Sequence, residues 1–265
     1  MWLTKNYHQK IQQEYKIENK LLEVKGVSYE LEIYQSKVFG QIARINETLL
    51  LQNWLNVQSE FLAHITTCSH KEPKRVLIAG SFNLEIAYEF LKHTFLSVDF
   101  LQFDLKVLES LISFFPHYQE VFKHPNFTHI PQRDGDFFTQ NKERKYTYDL
   151  ILALNGNEKA FVPLLSESGI LITKIPHLLL DTQGAKEKLE SLGNFLVKMP
   201  FFIPLAIDLD ESYCLASKKY HPTADIMLQR ADMLEDLEYY HANLHLSAFI
   251  LPKSVKIALF GVSKN

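Results

Sequence analysis

After Pro73 the chain settles into an alternation that few folds can satisfy. Arg75-Val76-Leu77-Ile78-Ala79-Gly80 is a short apolar run ending in glycine, the pattern of a strand buried on both faces. A helical spacing follows through Leu84, Ala87, Phe90 and Leu91. A second strand runs from Val98 to Asp104, and a second helix through Val107, Leu108, Leu111 and Ile112. The same reading predicts strands at Phe127 to Gln132, Asp149 to Leu154, Ile170 to Lys174 and Tyr213 to Ser217. It predicts helices near Glu158 to Ser166 and Ala185 to Leu192. Strands and helices alternating at this spacing specify an α/β fold with a doubly wound, mostly parallel sheet.

The first 52 residues have a different rhythm. Leu22, Val24, Leu31, Ile33, Val38, Ile42 and Ile45 stand among charges and two glycines, Gly26 and Gly40. Period-two patterning between turn residues predicts a small antiparallel sheet. From Asn53 to Thr67 the apolar spacing turns helical, and Cys68 to Pro73 reads as a polar linker. The expected organisation is an N-terminal β domain with a linking helix over residues 1–70, and a larger domain over 71–265. There is no internal repeat.

Of the 265 residues 46% are hydrophobic and 22% charged, which fits a folded globular protein. The net charge of −3 argues against nucleic acid or an anionic membrane surface as partner, and leaves room for a cationic small molecule. No apolar run approaches the roughly 20 residues of a membrane span, and the polar N-terminus has no signal core. The two cysteines, Cys68 and Cys214, lack metal-type spacing, and the 11 histidines form no paired metal motif, so no metal is expected. The expected compartment is the reducing cytoplasm.

In an open α/β sheet the ligand lies beyond the carboxyl ends of the strands. That rule nominates Gly80 to Asn83, Gln102 to Asp104, Asp134-Gly135 and Leu154 to Glu158. Gln102 comes 22 residues after Gly80, close to the roughly 20 that separate a glycine turn from a ribose-binding side chain. Ala79-Gly80-Ser81-Phe82-Asn83 is not a dinucleotide fingerprint. Asp134 can accept from an adenine amino group while Gly135 lets the ring approach the backbone. An ordinary turn would also use these two residues.

Several ordered segments resemble the polyamine aminopropyltransferases, the spermidine synthase family, and most closely a divergent bacterial branch of it. Ser36-Lys37-Val38-Phe39-Gly40 resembles the early S-K-x-[YF]-G of the family. Asp134-Gly135-Asp136-Phe137-Phe138 resembles D-G-F-x-F, Tyr148-Asp149-Leu150-Ile151 resembles Y-D-V-I, and Ala216-Ser217-Lys218 resembles a late A-S-K strand end. Tyr239-Tyr240, His245, Ala248-Phe249 and Leu251-Pro252 are similar to the Y-Y-N-x-x-x-H-x-A-F-x-L-P tail, with His241 in place of its Asn. The resemblance implies a small antiparallel β domain before a methyltransferase-like, Rossmann-type domain. It also implies a homodimer, and transfer of an aminopropyl group from decarboxylated S-adenosylmethionine to putrescine, giving spermidine and methylthioadenosine. The donor is a co-substrate, and no cofactor is expected.

The correspondence also exposes departures. The G-G-G-D-G-G loop of the family falls on Gly80 to Glu85 and keeps only the first glycine, with Asn83 in place of its Asp. The ribose-binding Glu falls on Gln102, Asp104 is kept, and the adenine-binding Asp falls on Asp134 beside Gly135. The D-x-x-D that carries the catalytic base falls on Leu154-Asn155-Gly156-Asn157 and retains no carboxylate. The Y-H-E element falls on Gln58-Ser59-Glu60, and the P-T-Y element on Pro204-Leu205-Ala206. The glutamine that follows L-D-G falls on Leu49 or Leu50. Asn155, Asn157, Glu158 and Glu60 are the candidates for the place of the usual base. His245 is expected to be structural.

The sulfonium leaves as a neutral thioether, so no leaving-group acid is needed. The acceptor must be a neutral amine, which at a pKa of about 10 is about 0.1% of the total at pH 7. Burial and alignment can offset that deficit without an Asp. Two alternatives remain at this stage: a non-catalytic family member that binds nucleoside or a partner subunit, and an S-adenosylmethionine-dependent methyltransferase.

Overall fold

The computed structural model describes residues 1–7, 11–141, 143, 147–207 and 212–263. The N-terminal region is built from two antiparallel sheets. Strands β1 (Trp2–Tyr7) and β2 (Ile11–Lys16) form a hairpin in which Trp2 faces Lys16 and Tyr7 faces Ile11. Strands β3 (Asn19–Lys25), β4 (Glu30–Ser36), β5 (Gly40–Ile45) and β6 (Thr48–Leu51) form a four-stranded meander. The period-two rule operates directly: Leu31 and Ile33 of β4 are fully buried while Glu30 and Glu32 point outward. Strand β1 obeys it too, burying Leu3, Lys5 and Tyr7. Its polar residues Thr4, Lys5 and Asn6 hid that alternation from the sequence reading.

Helix α1 (Leu55–Cys68) leads out of the meander. It is buried nearly all round from Ser59 to Cys68, as expected of a helix enclosed between layers. Strand β7 (Arg75–Ala79) and helix α2 (Glu85–Leu91) follow, then β8 (Ser97–Leu101), α3 (Leu105–Ile112), α4 (Tyr118–Lys123), β9 (Phe127–Ile130) and α5 (Asp134–Gln140). Next come β10 (Tyr148–Ala153), α6 (Glu158–Phe161), β11 (Leu165–Lys174), α7 (Thr182–Ser191), β12 (Val197–Phe202) and β13 (Ser212–Ser217). Helices α8 (Leu228–Asp232), α9 (Ala242–Ser247) and α10 (Lys253–Ala258) close the chain.

The main sheet has seven strands in the order β12-β13-β11-β10-β7-β8-β9. Five strands, β11-β10-β7-β8-β9, pair in parallel, and β13 is inserted antiparallel between β11 and β12. The doubly wound, mostly parallel sheet read from the sequence is therefore present, with the small antiparallel region in front of it. Alternate residues feed two cores. Val76 and Ile78 of β7 join Leu150 and Leu152 of β10 on one face, which is continuous with Leu31, Ile33 and α1. Leu77, Ala79, Ile151 and Ala153 face a second core with α7 and α10.

The structure departs from the sequence reading in three places. The helix expected over Glu158 to Ser166 stops at Phe161 and continues only as a 3-10 turn over Val162–Leu164. Pro163 lacks the N–H that a continuing helix requires. Asp134-Gly135 does not form a free-standing turn but opens helix α5. Strand β12 was not anticipated, because Lys198 and Pro200 interrupt its apolar run. As the edge strand of the sheet it tolerates that proline. Among the described residues no helix is long and apolar enough to cross a membrane.

Candidate active site

The strand order reverses between β7 and β10, which is where an open α/β sheet forms its ligand crevice. A cleft with about 890 Å³ of open space lies there. Its floor comes from Gly80 to Asn83, Gln102, Leu154 and Lys174, and its far wall from the N-terminal sheets through Tyr29, Ile45 and Thr48 to Leu50. The meander thus closes a site that the main sheet leaves open.

Gly80 adopts φ +76°, and a Cβ there would lie 2.3 Å from Cβ of Asn155. Only glycine lets the loops after β7 and β10 approach this closely. Asn83 is buried. Its Nδ2 donates to Gln58 Oε1 at 3.0 Å and to Ser59 Oγ at 3.1 Å, while Oδ1 accepts from the Glu85 amide at 3.1 Å. Gln58 in turn donates to the Tyr213 hydroxyl at 3.0 Å. This chain locks the Gly80 loop to α1, with neutral amides where a carboxylate would need a cation.

Gln102 lines the cleft. Its Nε2 donates to the Ser81 carbonyl at 3.3 Å and its Oε1 accepts from the Asp104 amide at 3.1 Å. Asp104 is turned away from the cleft. Its Oδ2 accepts from the amides of Ser28 at 3.0 Å and Tyr29 at 3.3 Å, and a Cβ on Gly26 would come within 2.5 Å of both of its oxygens. This carboxylate fastens the β3–β4 turn to the main sheet and does not line the cleft. The turn carries Tyr29, whose ring packs edge-on against Phe82 at 4.8 Å. Burial first, then the carboxylates of Asp134 and Asp104, raise the Tyr29 pKa, so its hydroxyl stays protonated.

Asp134 starts α5, and its Oδ2 accepts from Asn155 Nδ2 at 2.6 Å and from Asn157 Nδ2 at 2.9 Å. The two asparagines therefore staple the loop after β10 to the residue expected to read adenine. Gly135 faces open space. The other two candidates for the base are engaged elsewhere. Glu158 is buried, pairs with Lys188 at 2.7 Å and accepts from the Thr173 hydroxyl at 3.5 Å. Glu60 accepts from the amides of Glu238 at 3.0 Å, Tyr239 at 2.8 Å and Tyr240 at 2.8 Å. Neither lines the cleft, and both are corrected to structural roles. His245 is likewise enclosed, between the Tyr240 hydroxyl at 2.8 Å and the Pro222 carbonyl at 3.0 Å.

The charged residues of the cleft escaped the sequence reading. Lys5 and Lys174 line it, and the carboxylate among the lining residues is Glu47. That carboxylate is largely exposed and lies 3.6 Å from Arg44. Lys174 ends a predicted strand, so the carboxyl-end rule that nominated four other segments also covers it. At the former P-T-Y element, Ala206 borders a smaller apolar pocket with Leu49, Leu55 and Ile203.

Gln102 stands at one end of the cleft, and Ile45, Leu49, Leu50 and Leu154 give its middle an apolar lining.

Comparison with known proteins agrees with this architecture. Residues 1–52 match the spermidine synthase tetramerisation domain, and residues 55–160 match the spermine/spermidine synthase domain. A protein of Helicobacter pylori (strain G27) named polyamine aminopropyltransferase is 40% identical over 262 residues, covering 97% of each chain. A protein of the same name from Methanocaldococcus jannaschii is 26% identical and covers 98% of this chain and 95% of its own. The crystal structure of spermidine synthase from Thermotoga maritima superposes with a TM-score of 0.86 at 19% identity, covering 98% of this chain and 94% of its own. That likeness is one of fold. The identity to the Helicobacter protein along nearly the whole chain, together with the two matched domains, makes this chain a member of the spermine/spermidine synthase family.

Proposed function

We propose that the protein is a spermidine synthase that transfers the aminopropyl group of decarboxylated S-adenosylmethionine to putrescine. The observation that carries this reading is the cleft at the β7–β10 reversal, walled by the N-terminal sheets and bordered by Gly80 and Gln102. Full-length relatives at about 40% identity bear the name polyamine aminopropyltransferase, which supports the same chemistry.

In this reading the nucleoside lies between Gln102 and Asp134, with Tyr29 and Phe82 beside it, and the propyl chain points toward Leu154. The acceptor nitrogen forms a bond to the propyl carbon attached to sulfur. The carbon–sulfur bond breaks and its electron pair stays on sulfur, giving neutral methylthioadenosine. The nitrogen then releases a proton to solvent. Deprotonating an alkyl ammonium at pH 7 costs about 4 kcal/mol. No carboxylate among Asn83, Asn155 and Asn157 lowers that cost. The apolar stretch of Ile45, Leu49, Leu50 and Leu154 does so by disfavouring the charged amine, and alignment offsets the remainder. The expected enzyme is slower than relatives that keep the acidic base. No cofactor takes part, because the sulfonium is its own activating group. The chain is read as a cytoplasmic homo-oligomer, at least a dimer, assembled through residues 1–52.

Incubation of the purified protein with decarboxylated S-adenosylmethionine and putrescine tests this. Spermidine and methylthioadenosine should appear in equal amounts. Absence of methylthioadenosine with every amine tried would leave a non-catalytic nucleoside binder. Release of S-adenosylhomocysteine from S-adenosylmethionine would indicate a methyltransferase.

A further inference from the structure

A second, smaller cavity with about 460 Å³ of open space adjoins the cleft. Leu49 and Gln58 line both spaces, so the cavity lies directly behind these two side chains. Leu49 and Leu51 stand on the same side of β6 and form one wall. Leu55, at the start of α1, forms a second. Ile203 and Ala206, in the segment after β12, form a third. Among the described residues no charged side chain lines this cavity.

The third wall is held in place. The Tyr239 hydroxyl donates to the Pro204 carbonyl, and the Tyr239 amide donates to Glu60 at 2.8 Å. The Ala206 amide donates to the Ile203 carbonyl at 3.2 Å and closes a turn. A preformed apolar cavity takes an apolar group at little ordering cost. Gln58, on the boundary, is itself fixed between Asn83 at 3.0 Å and the Tyr213 hydroxyl at 3.0 Å.

Leu49 belongs to the apolar stretch beside which the propyl carbon reacts. An acceptor nitrogen placed there has the cavity within reach of the rest of its chain. The far end of putrescine is an ammonium, which gives up hydration among leucine and isoleucine side chains at a cost. An alkyl tail gains by leaving water for the same surroundings.

We propose that this cavity receives the far end of the acceptor, and that the protein takes, beside putrescine, primary amines with an apolar tail, the class represented by n-butylamine and n-hexylamine. The inference rests on the aminopropyl-transfer reading of the adjoining cleft. The transfer step is unchanged. The amine nitrogen bonds to the propyl carbon attached to sulfur, the carbon–sulfur electron pair leaves with methylthioadenosine, and one proton goes to solvent. The product is an N-(3-aminopropyl)alkylamine.

The test measures methylthioadenosine release and product mass with decarboxylated S-adenosylmethionine and, separately, putrescine, n-butylamine and n-hexylamine. The expected result is an aminopropyl adduct with both monoamines. The kcat/KM for n-hexylamine should exceed that for n-butylamine about ten-fold, the effect of two more buried methylenes. In Ala206→Asp, which sets a carboxylate at the cavity wall, the ratio of kcat/KM for n-hexylamine to that for putrescine should fall about ten- to hundred-fold. In the uncharged Ala206→Asn it should fall less. Spermidine formation without either monoamine adduct overturns this inference and leaves the transfer reading intact. So does equal kcat/KM for the two monoamines, or a ratio that does not move in Ala206→Asp. No methylthioadenosine with any amine overturns both. The wild-type product analysis decides the matter even if a variant folds poorly.

Discussion

Asn155 donates from Nδ2 to Oδ2 of Asp134 at 2.6 Å, and Asn157 donates to the same oxygen at 2.9 Å. Two positions where the family pattern places the acidic element thus serve as amide donors to a third carboxylate. Replacing Asn155 by Asp would set two carboxylates within hydrogen-bond distance, which raises the proton affinity of one of them. Asn155→Asp is expected to weaken methylthioadenosine binding about ten-fold at pH 8 and less at pH 5. Titration calorimetry at the two pH values checks this, and equal weakening at both would refute the electrostatic cause.

Asn83 contributes no charge to attract the aminopropyl ammonium of the donor, and its amide is already committed to Gln58 and Ser59. Binding of decarboxylated S-adenosylmethionine should therefore be weaker than micromolar. A calorimetric dissociation constant below that range would contradict the expectation.

Two glycines of the site should respond in opposite ways. In Gly80→Ala the new methyl meets Asn155 at 2.3 Å on a backbone with φ +76°, so a stability loss of about 2–4 kcal/mol is expected from strain and overpacking. In Gly135→Ala the methyl enters open space within helix α5, where alanine stabilises by about 0.5–1 kcal/mol. If the adenine ring rests on Gly135, that variant melts at or above the wild-type temperature yet binds methylthioadenosine more weakly. Unchanged binding would remove Gly135 from the site.

Burial lowers the pKa of His64 and His93 to about 3 and that of His245 to about 4. His64 contacts His93 through Nδ1 at 3.1 Å and Glu89 through Nε2 at 3.0 Å; accepting from His93 while donating to Glu89 requires a neutral His64 ring. In the unfolded chain these rings protonate near pH 6.5. Their contribution is fully present above pH 6.5 and is lost as the pH falls from 6.5 toward the folded values. Each ring held neutral should cost about 1 kcal/mol per pH unit in that window. Denaturant unfolding at pH 7.5, 6.5 and 5.5 should show a steep decline between the last two, and His245→Asn should flatten it.

The β–α alternation was legible because strands buried on both faces, such as Val76 to Ala79, leave no other reading. Strand β1 was not, since the buried Lys5 looks like a surface residue in sequence; in the structure its alkyl stem packs inward and its ammonium lies 4.7 Å from the centroid of the Tyr7 ring. The lining of the cleft was legible where backbone dictates it, at Gly80 and Gln102. Side-chain direction was not legible. Glu60 and Glu158 stand close in sequence to cleft residues but point to the amides of the C-terminal segment and to Lys188. Lys174 was overlooked because a lysine at a strand end has a solvent-facing explanation until the neighbouring strands are placed.

Asp104 and Gln102 are separated by one residue, yet one grips the turn bearing Tyr29 and the other borders the crevice. The position of Tyr29 at the wall of the cleft is consequently held by a strut three residues long as well as by the apolar contact of the meander with α1. Loosening that strut, for example by crowding Gly26, would widen the mouth and relax discrimination among purine nucleosides while every residue bordering the opening stayed the same.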